Sequence, residues 1–105
     1  MDKEKIRKIA DYYGFAEQSR QLFEEMSELA VSINKYYREC NKNLVTPNDY
    51  LNMQHCISNI EEEIADVTIM LEQMKYLLSI SDTDIEKIRN QKLVRQLERI
   101  RDGLE

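Results

Sequence analysis

The sequence predicts an all-α protein: a four-helix bundle-like protomer, built on a long central antiparallel helical hairpin and assembled as a homo-oligomer. Three observations lead there. The 105 residues hold two glycines and one proline, and a third of them are charged, which is the composition of long helices with few turns. Apolar residues recur in steps of three and four through two long stretches. Between those stretches lie a break, Asn41-Lys42-Asn43, and a helix-start cluster, Thr46-Pro47-Asn48-Asp49.

Residues 2–13 read as a short helix with Ile6, Ile9, Ala10 and Tyr13 on one side, and Gly14 interrupts it. A long helix then runs from Phe15 to about Cys40, with Phe15, Ser19, Leu22, Met26, Leu29, Ile33, Tyr36 and Cys40 as its seam. The next helix starts with Thr46 as cap, Pro47 in the first helical position and Asp49 closing a capping box. Its seam is Met53, Ile57, Ile60, Ile64, Val67, Leu71, Met74 and Leu78, and it ends near Ser79. Ser81-Asp82-Thr83-Asp84 is a second capping cluster. A last helix follows with Ile85, Ile88, Leu93, Leu97, Ile100 and Leu104 inward, and Gly103 lets it fray. No solenoid repeat or low-complexity linker interrupts this order.

Size and charge narrow the function classes. The length fits one domain, residues 1–105, with a modest core. No apolar run is long enough to span a membrane, and the first residues lead into no signal core, so a cytoplasmic protein is expected. Cys40 and Cys56 have neither metal-ligand spacing nor a disulfide framework around them. A net charge of −5 argues against a partner that is a nucleic acid polymer. His55 is the single histidine and belongs to no Glu-x-x-His pair, which speaks against a di-iron bundle and against zinc.

Two acidic stretches stand out, Glu24-Glu25-Met26-Ser27-Glu28 and Glu61-Glu62-Glu63-Ile64-Ala65-Asp66. Each holds a pair three residues apart, Glu25 with Glu28 and Glu63 with Asp66, so each pair shares one helix face. In an antiparallel hairpin, residues equidistant from the turn lie level. Glu25 pairs in level with Asp66, and Glu28 with Glu63, about the turn inferred from residues 41–47. At about 100° per residue, both pairs also flank the same edge of their seams. Glu24 and Glu62 fall nearly opposite the seam. Four carboxylates converging without a built-in base repel one another and need cations. Their hard oxygens suit Mg²⁺ or Mn²⁺. A single Glu-x-x-Glu pair is ordinary helix surface; the matched height and angle of two pairs point to a site.

Other polar residues fall near that acidic face. Lys35 lies two turns beyond Glu28, Gln18 two turns before Glu25, and Asn59 two turns before Asp66. A lysine there would take a phosphate or balance charge. The last helix carries Lys87, Arg89, Lys92, Arg95, Arg99 and Arg101, a pattern that fits a solvated face or a polyphosphate contact. The stretch from Ile64 to Leu71 is apolar almost all round, and the chain holds six tyrosines. A helix covered on every side needs more neighbours than one chain gives, hence the homodimer or homotetramer.

Phe15-x-x-Gln18, Leu22-Phe23-Glu24-Glu25-Met26-Ser27-Glu28-Leu29, Lys35 and Glu62-Glu63-Ile64-Ala65-Asp66-Val67 together resemble the MazG-like all-α nucleoside triphosphate pyrophosphohydrolases, which are similar to dimeric dUTPases. The resemblance covers roughly residues 12–78 and rests on Glu-x-x-Glu followed by Glu-x-x-Asp. The stretch between the motifs is longer than the family's usual one, so residues 41–52 read as an extended hairpin tip. The resemblance implies hydrolysis of an NTP or dNTP to the monophosphate and pyrophosphate. It implies Glu25, Glu28, Glu63 and Asp66 as Mg²⁺ ligands. Lys35, with Lys87 or Arg95, would steady the phosphates. Gln18 and Asn59 are further substrate-binding candidates. A member of the first pair is expected to take the proton of the attacking water. Two rival readings are a non-catalytic helical oligomerisation or adaptor module, and a degenerate relative that binds nucleotide without turnover.

Overall fold

The computed structural model describes residues 1–103 and is helical throughout, with three elements: α1 Lys3–Cys40, α2 Pro47–Leu77 and α3 Asp82–Arg101. Their boundaries follow from local chemistry. Asp2 caps α1 by accepting from the backbone N–H groups of Glu4 and Lys5. Thr46 and Asp49 close the expected capping box at the start of α2, where Pro47 loses no hydrogen bond. Hydrogen bonds from the Thr46 and Val45 N–H groups hold the Asp49 carboxyl below its usual range. Ser81 caps α3 by accepting from Asp84.

Gly14 breaks α1 in two, as its position in the sequence suggests. Its backbone lies at φ 79°, ψ 172°, a region that side chains with a Cβ rarely enter. The break turns residues 3–13 so that they pack along the end of α2. Ile6 and Ala10 are buried there, and the Tyr76 hydroxyl donates to the Asp11 carboxylate at 2.9 Å. Arg7 lies 5.7 Å from the centre of the Tyr76 ring.

Beyond Gly14, α1 and α2 form the expected antiparallel hairpin. Only residues 41–46 separate the two helices, so the connection is a short turn rather than an extended tip. Extra length between the two acidic motifs goes into the helices. The seam positions along α1 beyond Gly14 are Gln18, Leu22, Glu25, Leu29, Ser32, Tyr36 and Glu39, and Ser19, expected on the seam, is half-buried beside Gln18. Along α2 the seam positions are Met53, Cys56, Ile60, Glu63, Val67, Met70, Met74 and Leu77, and Glu72, Gln73 and Lys75 are covered beside them. Both series alternate steps of three and four, the spacing of a two-helix seam.

This seam corrects the one read from the sequence. Leu22, Leu29, Tyr36, Met53, Ile60, Val67 and Met74 lie where expected. Phe15, Met26, Ile33 and Cys40 on α1, and Ile57, Ile64, Leu71 and Leu78 on α2, are exposed instead. They sit mostly one position past a seam residue and form a separate stripe with the same period. Periodicity alone cannot separate two parallel stripes one residue apart. By the same wheel, Phe23 and Tyr37 join that stripe, giving the hairpin one strongly apolar flank. The other flank carries Glu17, Glu24, Glu28, Glu62 and Asp66.

The last helix also differs from expectation. Among the described residues, α3 packs against neither α1 nor α2, so the helical segments of one chain do not close into a bundle. Ile88, Leu93, Leu97 and Ile100, expected inward, are exposed. Leu104, expected inward too, lies outside the described residues. Among the described residues, no helix is long and apolar enough to cross a membrane.

The Gly14 break should be intolerant of a Cβ even though the space around it is open. Gly14→Ala is expected to cost about 1–3 kcal/mol through backbone strain. Urea unfolding followed by circular dichroism measures it. An unchanged midpoint would mean that residues 3–13 are free to leave the end of α2.

Candidate metal centre

The seam places carboxylates where a helical hairpin ordinarily keeps leucines. Glu25 and Glu63 occupy covered seam positions, while Glu28 stands one step out on the acidic flank. One oxygen from each of Glu25, Glu28 and Glu63 lies within 4.8 Å of the other two. The sequence expectation that these acids meet across the hairpin therefore holds for three of the four. Asp66 is exposed and outside that trio, although it is near enough for its charge to act on Glu63.

No lysine or arginine forms an ion pair with the trio among the described residues. Gln21 donates from Nε2 to Oε1 of Glu25 at 2.8 Å, which leaves the other oxygen of Glu25 buried without a donor. One oxygen of Glu63 is also buried and without a partner. Burial first, then the charges of Glu28, Glu25 and Asp66, then hydrogen bonding with Glu28 push the Glu63 carboxyl above its usual range. Buried carboxylate oxygens without donors are costly unless a cation or a proton satisfies them. Hard, anionic and close together, these three side chains fit Mg²⁺ or Mn²⁺. Tetrahedral nitrogen and sulfur chemistry is not built here.

The trio opens on a cleft of about 340 Å³, lined by Ser27, Glu28, Val31, Ser32, Lys35, Asn59 and Glu63. Lys35 and Asn59 thus stand beside the carboxylates, as the spacing implied. Gln18 does not. It is 4 % exposed, on the seam, and its side-chain oxygen lacks a partner. Gln73, one residue short of the next seam position on α2, is 2 % exposed with the same unpartnered oxygen. Lys87 and Arg95 lie on α3, which shares no packing with the helices that hold the trio. Sequence reasoning missed Gln21, although its spacing four residues before Glu25 is the usual signal for a side-chain hydrogen bond along a helix.

Against known proteins, the chain matches no family model, no curated protein and no solved structure.

Glu63 yields a prediction with a definite sign. Its folded-state pKa is raised, so its stabilising contribution is complete below the unfolded-state value. That contribution is lost as pH rises through the folded-state value. Glutamine mimics the protonated form. Metal-free Glu63→Gln should therefore melt above the parent protein at neutral pH, with the gap closing as pH falls below the ordinary glutamate range. Thermal melts in a chelator across pH 4 to 8 read this directly. A variant less stable than the parent at neutral pH would remove the like-charge account of the seam.

Proposed function

We propose that this protein is a Mg²⁺-dependent nucleoside triphosphate pyrophosphohydrolase, releasing the monophosphate and pyrophosphate. The observation that carries the reading is the convergence of Glu25, Glu28 and Glu63 with unpartnered buried oxygens on Glu25 and Glu63. The resemblance of Glu25-x-x-Glu28 and Glu63-x-x-Asp66 to the MazG-like signature supports it. Glu25, Glu28 and Glu63 would hold the ion, with Asp66 able to join them. Held there, the ion would supply charge neutralisation for polyphosphate oxygens and a more acidic bound water.

The chain's own residues divide the remaining work. Gln21 orients Glu25 through their hydrogen bond. Glu28 is the most open of the three carboxylates and is suited to accept a proton from water. Lys35 places an ammonium at the cleft, where it would meet a phosphate, and Asn59 faces it across the hairpin. The apolar flank, with Phe23 74 % exposed, favours a homodimer or homotetramer in which the bundle is completed between chains. The interaction-module reading rests on that same flank, but it gives no reason for acids at seam positions. A relative that binds nucleotide without turnover would keep the metal response and lose the product.

Hydrolysis of a panel of canonical and modified NTPs and dNTPs with Mg²⁺ tests the reading. The expected products are monophosphate and pyrophosphate. Diphosphate and phosphate would retain the ion and replace the chemistry. Millimolar Mg²⁺ should also raise the melting temperature of the parent, by linkage, and leave that of Glu63→Gln nearly unchanged. Absence of both product and Mg²⁺ response would favour the interaction module.

A further inference from the structure

The buried side-chain oxygens without a partner, among the described residues, belong to Gln18, Glu25, Glu63 and Gln73. A cation satisfies the two carboxylates. It does not satisfy the two amides, which are neutral and lie two turns away, about 10 Å along the hairpin. A buried acceptor left without a donor is costly. Gln18 and Gln73 are 4 % and 2 % exposed, so bulk water does not supply that donor.

Gln18 and Gln73 are equidistant from the turn between α1 and α2, as Glu28 and Glu63 are, so they stand level. Gln18 lies seven residues before Glu25, and Gln73 seven residues after Asp66. Seven residues return to nearly the same face of a helix. The amide pair therefore repeats the level of Glu25 and Asp66 two turns nearer Gly14. Between the two levels the seam holds Leu22 and Met70. On the far side of the carboxylates the cleft runs to Lys35 and Asn59.

The hairpin thus presents, in order, two carboxamides, an apolar step, a carboxylate trio and a lysine. A nucleoside triphosphate has its parts in the same order: the hydrogen-bonding edge of the base, the ring and sugar, the metal-binding phosphates and the terminal phosphate. The unpartnered atoms are acceptors, so the base must donate to both. Guanine presents two adjacent donors on one edge, N1–H and the 2-amino group. Adenine and cytosine offer one amino donor beside a ring acceptor, and uracil and thymine one N–H between two carbonyls. Each carboxamide also carries an N–H donor for the guanine O6.

The segment before Gly14 covers this end of the hairpin. Ile6 and Ala10 are buried there, and Tyr76, one turn beyond Gln73, donates to Asp11. A base enters when that segment lifts at Gly14, where the backbone lies at φ 79°.

We propose that Gln18 and Gln73 read the base of the substrate and select a guanine nucleotide, accepting from its N1–H and its 2-amino group. This role rests on the pyrophosphohydrolase reading above, which fixes where the phosphates lie.

Turnover of GTP and of inosine triphosphate, ITP, which lacks only the 2-amino group, tests the assignment. The parent is expected to favour GTP by about tenfold or more in kcat/KM, because ITP leaves one buried oxygen unpaired. Gln73→Met and Gln18→Met keep the shape of the side chain and remove the amide. Each should bring the ratio near one, keep the Mg²⁺-induced melting shift and melt no lower than the parent, since an unsatisfied oxygen is gone. A merely structural amide would instead lower the melting temperature and leave the ratio unchanged, which would overturn the proposal. Equal turnover of GTP and ITP by the parent, or preference for another base, would leave the two oxygens to a buried water and overturn it as well. If the parent hydrolyses no nucleotide, the reaction falls, and melting shifts with GMP and IMP in a chelator decide the base site. A larger shift with GMP, lost in Gln73→Met, would retain it; equal or absent shifts would overturn it.

Discussion

The confrontation of Glu25 and Glu63 inside the helical seam is the constraint around which this protein is built. Two carboxylates at covered positions repel, and burial makes Glu63 more expensive to ionise. Apolar seam residues on either side offset that cost. Leu22 and Met70 lie on one side, Leu29 and Ile60 on the other; Met70 is buried and the other three are half-buried, so each of those contributes less than the ~1.5–3 kcal/mol of a fully buried side chain. The hairpin is thus held by its ends and strained at its middle. The buried oxygens of Glu25 and Glu63 that lack a donor make that middle the least satisfied part of the seam.

A hairpin with a charged middle has a thin core. The buried apolar side chains are Ile6, Ala10, Val67 and Met70, and two of these come from or lie near the segment before Gly14. The Gly14 break is therefore more than a kink. It lets residues 3–13 return along the end of α2, and the Tyr76–Asp11 hydrogen bond fastens them there. The two flanks then have opposite characters. One shows Phe23, Met26, Ile33, Ile57 and Ile64, and the other shows carboxylates. The two-helix layer thus has one oily and one acidic side.

Local chemistry made the elements legible in the sequence. The capping box at Thr46 and Asp49, Pro47 in the first helical position, the Ser81 cap and the break at Gly14 all act within a few residues. They appear in the structure where the sequence puts them. The antiparallel level of Glu28 and Glu63 was legible as well, because a short turn fixes the register of two long helices. The meeting of Glu25, Glu28 and Glu63 follows from it.

Which face of each helix turned inward was decided only by the tertiary structure. On α1 the stripe led by Met26 has the same period as the true seam and more apolar side chains, and on α2 the apolar residues led by Ile64 interleave with the seam at the same period, so hydrophobic patterning did not separate them. The true seam admits Gln18, Glu25 and Glu63, which no pattern of apolar residues would select. The placement of α3 was equally hidden, since an amphipathic helix carries the same sequence signal whether its partner is its own hairpin or another chain. Helix ends and register are set by neighbours in sequence and by chain length, and the sequence by itself determined them. Facing is set by competition between surfaces far apart in the chain, and only the folded structure resolves that competition.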